Sequence, residues 1–214
     1  MKKMINQWHN VSVYLAGAAA LVAILVPMDI TARLLWASIS ILFLHFFEEF
    51  GAPGGFPYMG MKVLMGSSET DKTKWSCNNL SSMFGNWGFL CLLYVAALLL
   101  PDVRFLTLSA MLFLFAEVFM HLLLFPLRLK EFYNPGQITG VLGLGVIGIY
   151  YFTTIFEPQM YVWYDYVLAV FWFIVVFWFC FRSPLYWGLG SKQGYDLTDQ
   201  SAFGQWERDV REKK

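Results

Sequence analysis

ITARLLWASISILFLHFFEEF, residues Ile30–Phe50, is apolar almost throughout and ends on His45, Glu48 and Glu49. About 20 such residues cross the hydrocarbon core of a bilayer as a helix. Positions three and four apart share a helix face, so His45 points the same way as Glu48 and Glu49. Three ionisable groups on one stripe of a membrane helix cost on the order of several kcal/mol unless they are paired, protonated or bound to a metal. The stretch therefore predicts both a membrane span and a site.

The rest of the chain supplies a bundle around it. Hydrophobic residues make up 58% of the 214 and charged residues only 14%, against about 25% charged in a typical soluble domain. The predicted fold is all-α: a polytopic helical bundle of six spans over 1–182, followed by a tail over 183–214. The other spans are expected at about Val11–Val26, Met83–Leu100, Phe105–Leu127, Pro135–Phe156 and Tyr161–Phe181. Asn134-Pro135-Gly136 reads as a helix start and nothing more, with Asn as cap and Pro at the first turn. The glycines that follow, Gly136, Gly140, Gly143, Gly145 and Gly148, let neighbouring helices approach the fifth span closely. Phe203, Trp206 and Val210 fall at helical spacing and predict one short interfacial helix in the tail. The ten-residue lead before the first apolar run, with no convincing small-x-small cleavage site, favours a retained span over a cleaved signal.

Charge sets an orientation. Of 15 basic residues, only Arg33 and Arg104 fall on one side of this six-span arrangement, and the rest, Lys213 and Lys214 included, fall on the other. By the positive-inside rule both termini are expected in the cytoplasm. Cys77, Cys91 and Cys180 show no metal or redox spacing. No basic patch points to nucleic acid. The one long polar connection, Gly51–Ser82, opens on a Gly/Pro-rich turn and is expected to fold back under the bundle as a lid.

A second stripe lies at the depth of the first. Glu117 and His121 are four apart in the fourth span, which runs in the same direction as the second. Each histidine stands about 10 Å of helix rise from the same membrane face. His45, Glu48, Glu49, Glu117 and His121 form a mixed nitrogen and oxygen set suited to one or two divalent ions, zinc, iron or manganese. Glu48 and Glu49 are candidate catalytic carboxylates. Arg128, seven residues beyond His121, is a candidate clamp for a carboxylate or a phosphate-bearing headgroup.

His45-x-x-Glu48-Glu49 at a span end, then Glu117/His121, then Arg128 ahead of Asn134-Pro135-Gly136, resembles the HXXEE-domain family of bacterial membrane proteins over about Trp36–Phe156. The resemblance implies a multi-span protein of the bacterial cytoplasmic membrane and no particular reaction. Other membrane families fit less well. The intramembrane glutamate proteases need an arginine where Pro53 stands, His-Glu-x-x-His proteases need a glutamate where Phe46 stands, and membrane desaturases need far more than three histidines. The leading expectation is an intramembrane metal-dependent hydrolase or oxidoreductase acting on a membrane lipid or other apolar small molecule. A proton-coupled transporter using the same residues as a relay is the alternative, and a purely structural polar cluster is the third.

Overall fold

The computed structural model describes residues 1–212; Lys213 and Lys214, the last two positions of the tail and both part of the charge argument, lie outside them. Among the described residues the chain is helical and has no strand. Six helices are long and apolar enough to cross a membrane: Trp8–Leu25, Ile30–Phe50, Asn79–Leu99, Arg104–Leu129, Ile138–Ile155 and Trp163–Gly190, numbered here as the first to sixth spans.

Local chemistry fixes their ends. Asp29 accepts a hydrogen bond from the Ala32 amide at 2.8 Å and starts the second span. Asn78 and Ser81 cap each other's backbone, so the third span begins at Asn79, four residues before the expected start. The sixth span is one continuous α-helix from Trp163 to Phe181, then breaks at Arg182-Ser183, and Ser183 caps the short helix Pro184–Gly190. The fifth span begins at Ile138 and not at Pro135. Its expected cap, Asn134, is used elsewhere, as described below.

The second and fourth spans are the inner pair. The first span packs along the second, the sixth packs along the fourth, and the third and fifth bridge between the inner two. The fifth can do so because its glycines offer bare backbone. A Cβ on Gly143 would lie 2.6 Å from Ile41 of the second span, and one on Gly145 would lie 2.8 Å from Val118 of the fourth. Buried polar side chains stitch the spans: Ser40 Oγ donates to the Ala16 carbonyl at 2.9 Å, and Tyr94 OH to the Ala110 carbonyl at 2.9 Å. The sixth span exposes Phe171, Ile174 and Trp178 outward, as a lipid-facing helix does.

One end of the bundle carries a cap of connections. Asn6 Nδ2 donates to the Gly194 carbonyl at 3.2 Å, so the N-terminal segment and the tail share that end. The helix Phe56–Val63 packs there against Asp199–Phe203 of the tail. In place of the single interfacial helix expected, the tail beyond Pro184–Gly190 forms two short helices, Asp199–Phe203 and Glu207–Glu212. Phe203, Trp206 and Val210 are buried, and Trp206 packs with Met59, Phe125 and Leu129. The apolar face expected to meet lipid is covered by protein.

Candidate metal centre

Two imidazoles and two carboxylates converge between the second and fourth spans. The rings of His45 and His121 lie edge to face with centroids 4.9 Å apart. His45 Nε2 is 3.4 Å from Glu49 Oε1 and 3.4 Å from Glu117 Oε2. His121 Nε2 is 3.6 Å and 3.3 Å from the same two oxygens. The histidines and Glu49 are almost fully buried, and the Glu117 side chain is 15% exposed. Ligand atoms of His45, Glu117 and His121 all lie within 4.8 Å of one another, a group that can close on one ion.

These separations are informative. A charge-assisted N–H···O bond is about 2.7–2.9 Å long, and every one of the four contacts is longer. Ligands held at about 2.0–2.1 Å around a tetrahedral ion sit roughly 3.3–3.4 Å apart. The contacts recorded for Glu49 and Glu117 among the described residues are with these two imidazoles. In the protonation state that metal binding requires, with both carboxylates ionised and both imidazoles neutral, the four side chains would carry a charge of −2, which one divalent ion cancels.

The supporting residues decide which nitrogen of each ring is free. Thr139 Oγ1 donates its single proton to Glu48 Oε2 at 2.6 Å, so it accepts from His45 Nδ1–H at 2.9 Å. Asn134 Nδ2 donates to the His121 carbonyl at 2.9 Å, which turns Oδ1 to accept from His121 Nδ1–H at 2.7 Å. Both Nε2 lone pairs then face the two carboxylates. Metal-binding histidines are held in this way by an acceptor on the far nitrogen.

Glu48 is not in the cluster. On a helix it lies 100° round from Glu49, and only Glu49 follows His45 inward. Glu48 accepts from the Ile138 amide at 3.1 Å, the Thr139 amide at 2.9 Å and Tyr133 OH at 3.0 Å, besides Thr139 Oγ1. It thus caps the fifth span from outside, where the unpaired amides of a helix start favour an anion. Burial, and then the Glu48 carboxylate, hold the Tyr133 phenol well above its usual range, so Tyr133 remains a donor to Glu48.

Arg128 is exposed and away from the cluster. Met120–Leu124 is a π-helical turn, whose extra residue rotates all that follows by about 100°. Seven residues past His121 is therefore no longer the His121 face. Asn134-Pro135-Gly136, expected to serve only as a helix start, is part of the site. Gly136, at φ +96°, presses on both rings: a Cβ there would lie 2.4 Å from His121 Cε1 and 2.8 Å from His45 Cε1. Asn134 and Gly136 stand in the Asn134-Pro135-Gly136 turn that forms part of the family resemblance, whereas Thr139 and Tyr133 carry no signal of their own. The further clue for all four is their place, directly after a span that holds Glu117 and His121.

A cavity of about 500 Å³ adjoins the cluster, with His45, Glu49, Glu117 and His121 on its wall. Phe56, Gly60 and Met61 of the Phe56–Val63 helix line it from the tail side, so the Gly51–Ser82 connection covers the site. Cys77 also lines it; burial pushes its thiol up to about 12 and so keeps it protonated and unreactive.

A family described as "Protein of unknown function with HXXEE motif" matches residues 36–151, a segment that contains every residue of the cluster and its supports. No curated protein matches the chain, and no solved structure does.

Proposed function

The chain belongs to the HXXEE family, and we propose that it is an intramembrane metal-dependent enzyme, a hydrolase or oxidoreductase, acting on a lipid or other apolar substrate. One observation carries this reading. Ligand atoms of His45, Glu117 and His121 lie within 4.8 Å of one another, and Glu49 Oε1 stands 3.4 and 3.6 Å from the two imidazole Nε2 atoms, longer than charge-assisted hydrogen bonds and near the edge length of a metal site.

His45 and His121 would bind through Nε2, Glu117 and Glu49 through one oxygen each. Zinc, iron and manganese all accept such a set. A divalent ion held there would supply a Lewis acid and lower the pKa of a bound water. The protein's own residues do the rest. Thr139 and Asn134 hold the rings in the binding tautomer. Glu117, the one ligand with appreciable exposure, faces the cavity and is the carboxylate best placed to accept a proton from a bound molecule. The phenylalanines of the cavity exclude water.

A specific observation favours the relay as a second reading. His45 Nδ1, Thr139 Oγ1, Glu48 and Tyr133 OH form an unbroken hydrogen-bonded chain from the cluster toward the tail end. A transporter or permease built on it would move protons along that chain.

Elemental analysis of detergent-purified protein separates the two. The metal reading predicts one divalent ion per chain, lost in Glu117→Gln and in His121→Ala, with the double variant no worse than either single. Metal-free wild type, together with pH-dependent transport abolished by Glu48→Gln alone, would establish the relay instead.

A further inference from the structure

Arg182 stands on the cavity wall with no carboxylate to neutralise it. It ends the continuous part of the sixth span, donates Nη1 to the Phe181 carbonyl at 3.2 Å, and lies 5.9 Å from the centroid of the Phe177 ring. No ion pair reaches it among the described residues. Apart from that one bond its fork of donors is half-buried and open to a ligand, and guanidinium matches phosphate or carboxylate in two-point contact.

The charge of the cavity argues for an anion. Its lining carries the side chains of Glu49, Glu117 and Arg182. In the metal reading a divalent ion offsets the two carboxylates, so the uncompensated charge on the lining is that of Arg182.

The depth of the groups argues for an amphiphile. Phe113 and Phe173 meet with ring centroids 6.1 Å apart and, with Phe89, close the inner end of the cavity. One helical turn toward the tail end brings Glu117 on the fourth span level with Phe177 on the sixth. Arg182 follows five residues later, about 7.5 Å of helix rise. Phe119 and Phe177 line the cavity and are 54% and 39% exposed on the outer surface, so it reaches the lipid-facing side between the fourth and sixth spans.

Resting on the metal reading above, we propose that the cavity binds an anionic amphiphile from the bilayer. Its negatively charged head, phosphate or carboxylate, pairs with Arg182. Its hydrocarbon chain runs inward along Phe177, Phe173 and Phe113, so that the bond beside Glu117 lies several atoms in from the head. Arg182 selects the substrate, and the cluster acts on it.

Equilibrium binding of radiolabelled hexadecyl phosphate, hexadecanol and inorganic phosphate to the full-length protein in uncharged detergent tests this, with metal content measured on the same samples. Wild type should bind hexadecyl phosphate about ten- to a hundredfold more tightly than hexadecanol, the range expected for hydrogen bonds to a charged group. Arg182→Gln should abolish that preference and Arg182→Lys should keep part of it. Equal binding of the phosphate and the alcohol by wild type overturns the proposal even when no variant folds. So does an Arg182→Gln protein that keeps the preference. Inorganic phosphate that competes as well as hexadecyl phosphate does would assign the site to a free anion and overturn the lipid assignment. Metal-free wild type that still prefers hexadecyl phosphate upholds Arg182 and sinks the metal reading, whereas metal-loaded protein without the preference sinks this proposal alone.

Discussion

Thr139 and Asn134 give the cluster its chemistry, because each commits one imidazole to a single tautomer. Losing such a support typically costs about 10–100-fold in metal affinity. Thr139→Val, which removes the acceptor for His45 Nδ1, is predicted to weaken binding by that range in competition with a calibrated chelator, while Thr139→Ser stays near wild type. Equal affinities for the two variants would show that the hydroxyl is irrelevant. Gly136→Ala is predicted to be worse than either. Its methyl would need the space of both ring edges, at a backbone angle that L-residues rarely adopt. The expected result is a folded, inserted protein without metal, and retention of a full equivalent of metal in that variant would contradict the packing described here.

At the scale of the element, two helix details decide which residues belong to the site. The 100° step between adjacent residues sends Glu49 inward and Glu48 to the start of the fifth span. Counting by three and four on the sequence cannot choose between them, since both fall within a helix face of His45. The π turn at Met120–Leu124 then moves Arg128 off the face it would occupy on a regular helix. By contrast, the convergence of His45 with Glu117 and His121 was legible, because both stripes lie a similar helix rise from the same membrane face. The six spans were legible for the same reason: length and hydropathy need no partner. What needed coordinates was every contact between a span and a connection, Asn134 to His121 and Glu48 to Ile138 above all. Glu48→Gln is predicted to speed hydrogen exchange at the Ile138 and Thr139 amides while leaving the first and sixth spans unchanged. Unaltered exchange at those two amides would show that Glu48 is not their cap.

The tail is held by a mixture of forces of different size. Trp206, 5% exposed, buries its ring and donates to Glu131 at 2.8 Å, whereas the Lys72–Asp199 pair at 2.6 Å is partly in water. Truncating a buried Trp costs about 3–5 kcal/mol, and an exposed ion pair contributes about 0–1 kcal/mol. Trp206→Ala should therefore release the tail to protease and Lys72→Ala should not. Equal protection of both variants would refute that ranking. The hydrogen bond from Lys72 holds the Asp199 carboxyl below its usual range, against burial. A depressed folded pKa stabilises above the unfolded value of about 4 and is lost as pH falls through the lower folded value. Tail docking should thus be flat from about pH 8 to 5 and weaken only in acid.

For the molecule as a whole, we propose from the basic residues at the capped end, by the positive-inside rule, that this end faces the cytoplasm. Reporter fusions after Lys74 and Lys130 should read cytoplasmic and one after Asp102 external; an external signal from Lys74 would invert the protein and move the cavity mouth to the other leaflet. The central claim, that His45, His121, Glu49 and Glu117 hold one divalent ion, is tested most directly by X-ray absorption on metal-loaded protein. The chain has only three histidines, so a His9→Gln background leaves His45 and His121 as the sole imidazole donors. The account predicts two imidazoles and oxygen ligands at about 2.0–2.2 Å around the ion, unchanged by His9→Gln. A first shell with fewer than two imidazoles, or with sulfur from cysteine, would contradict it.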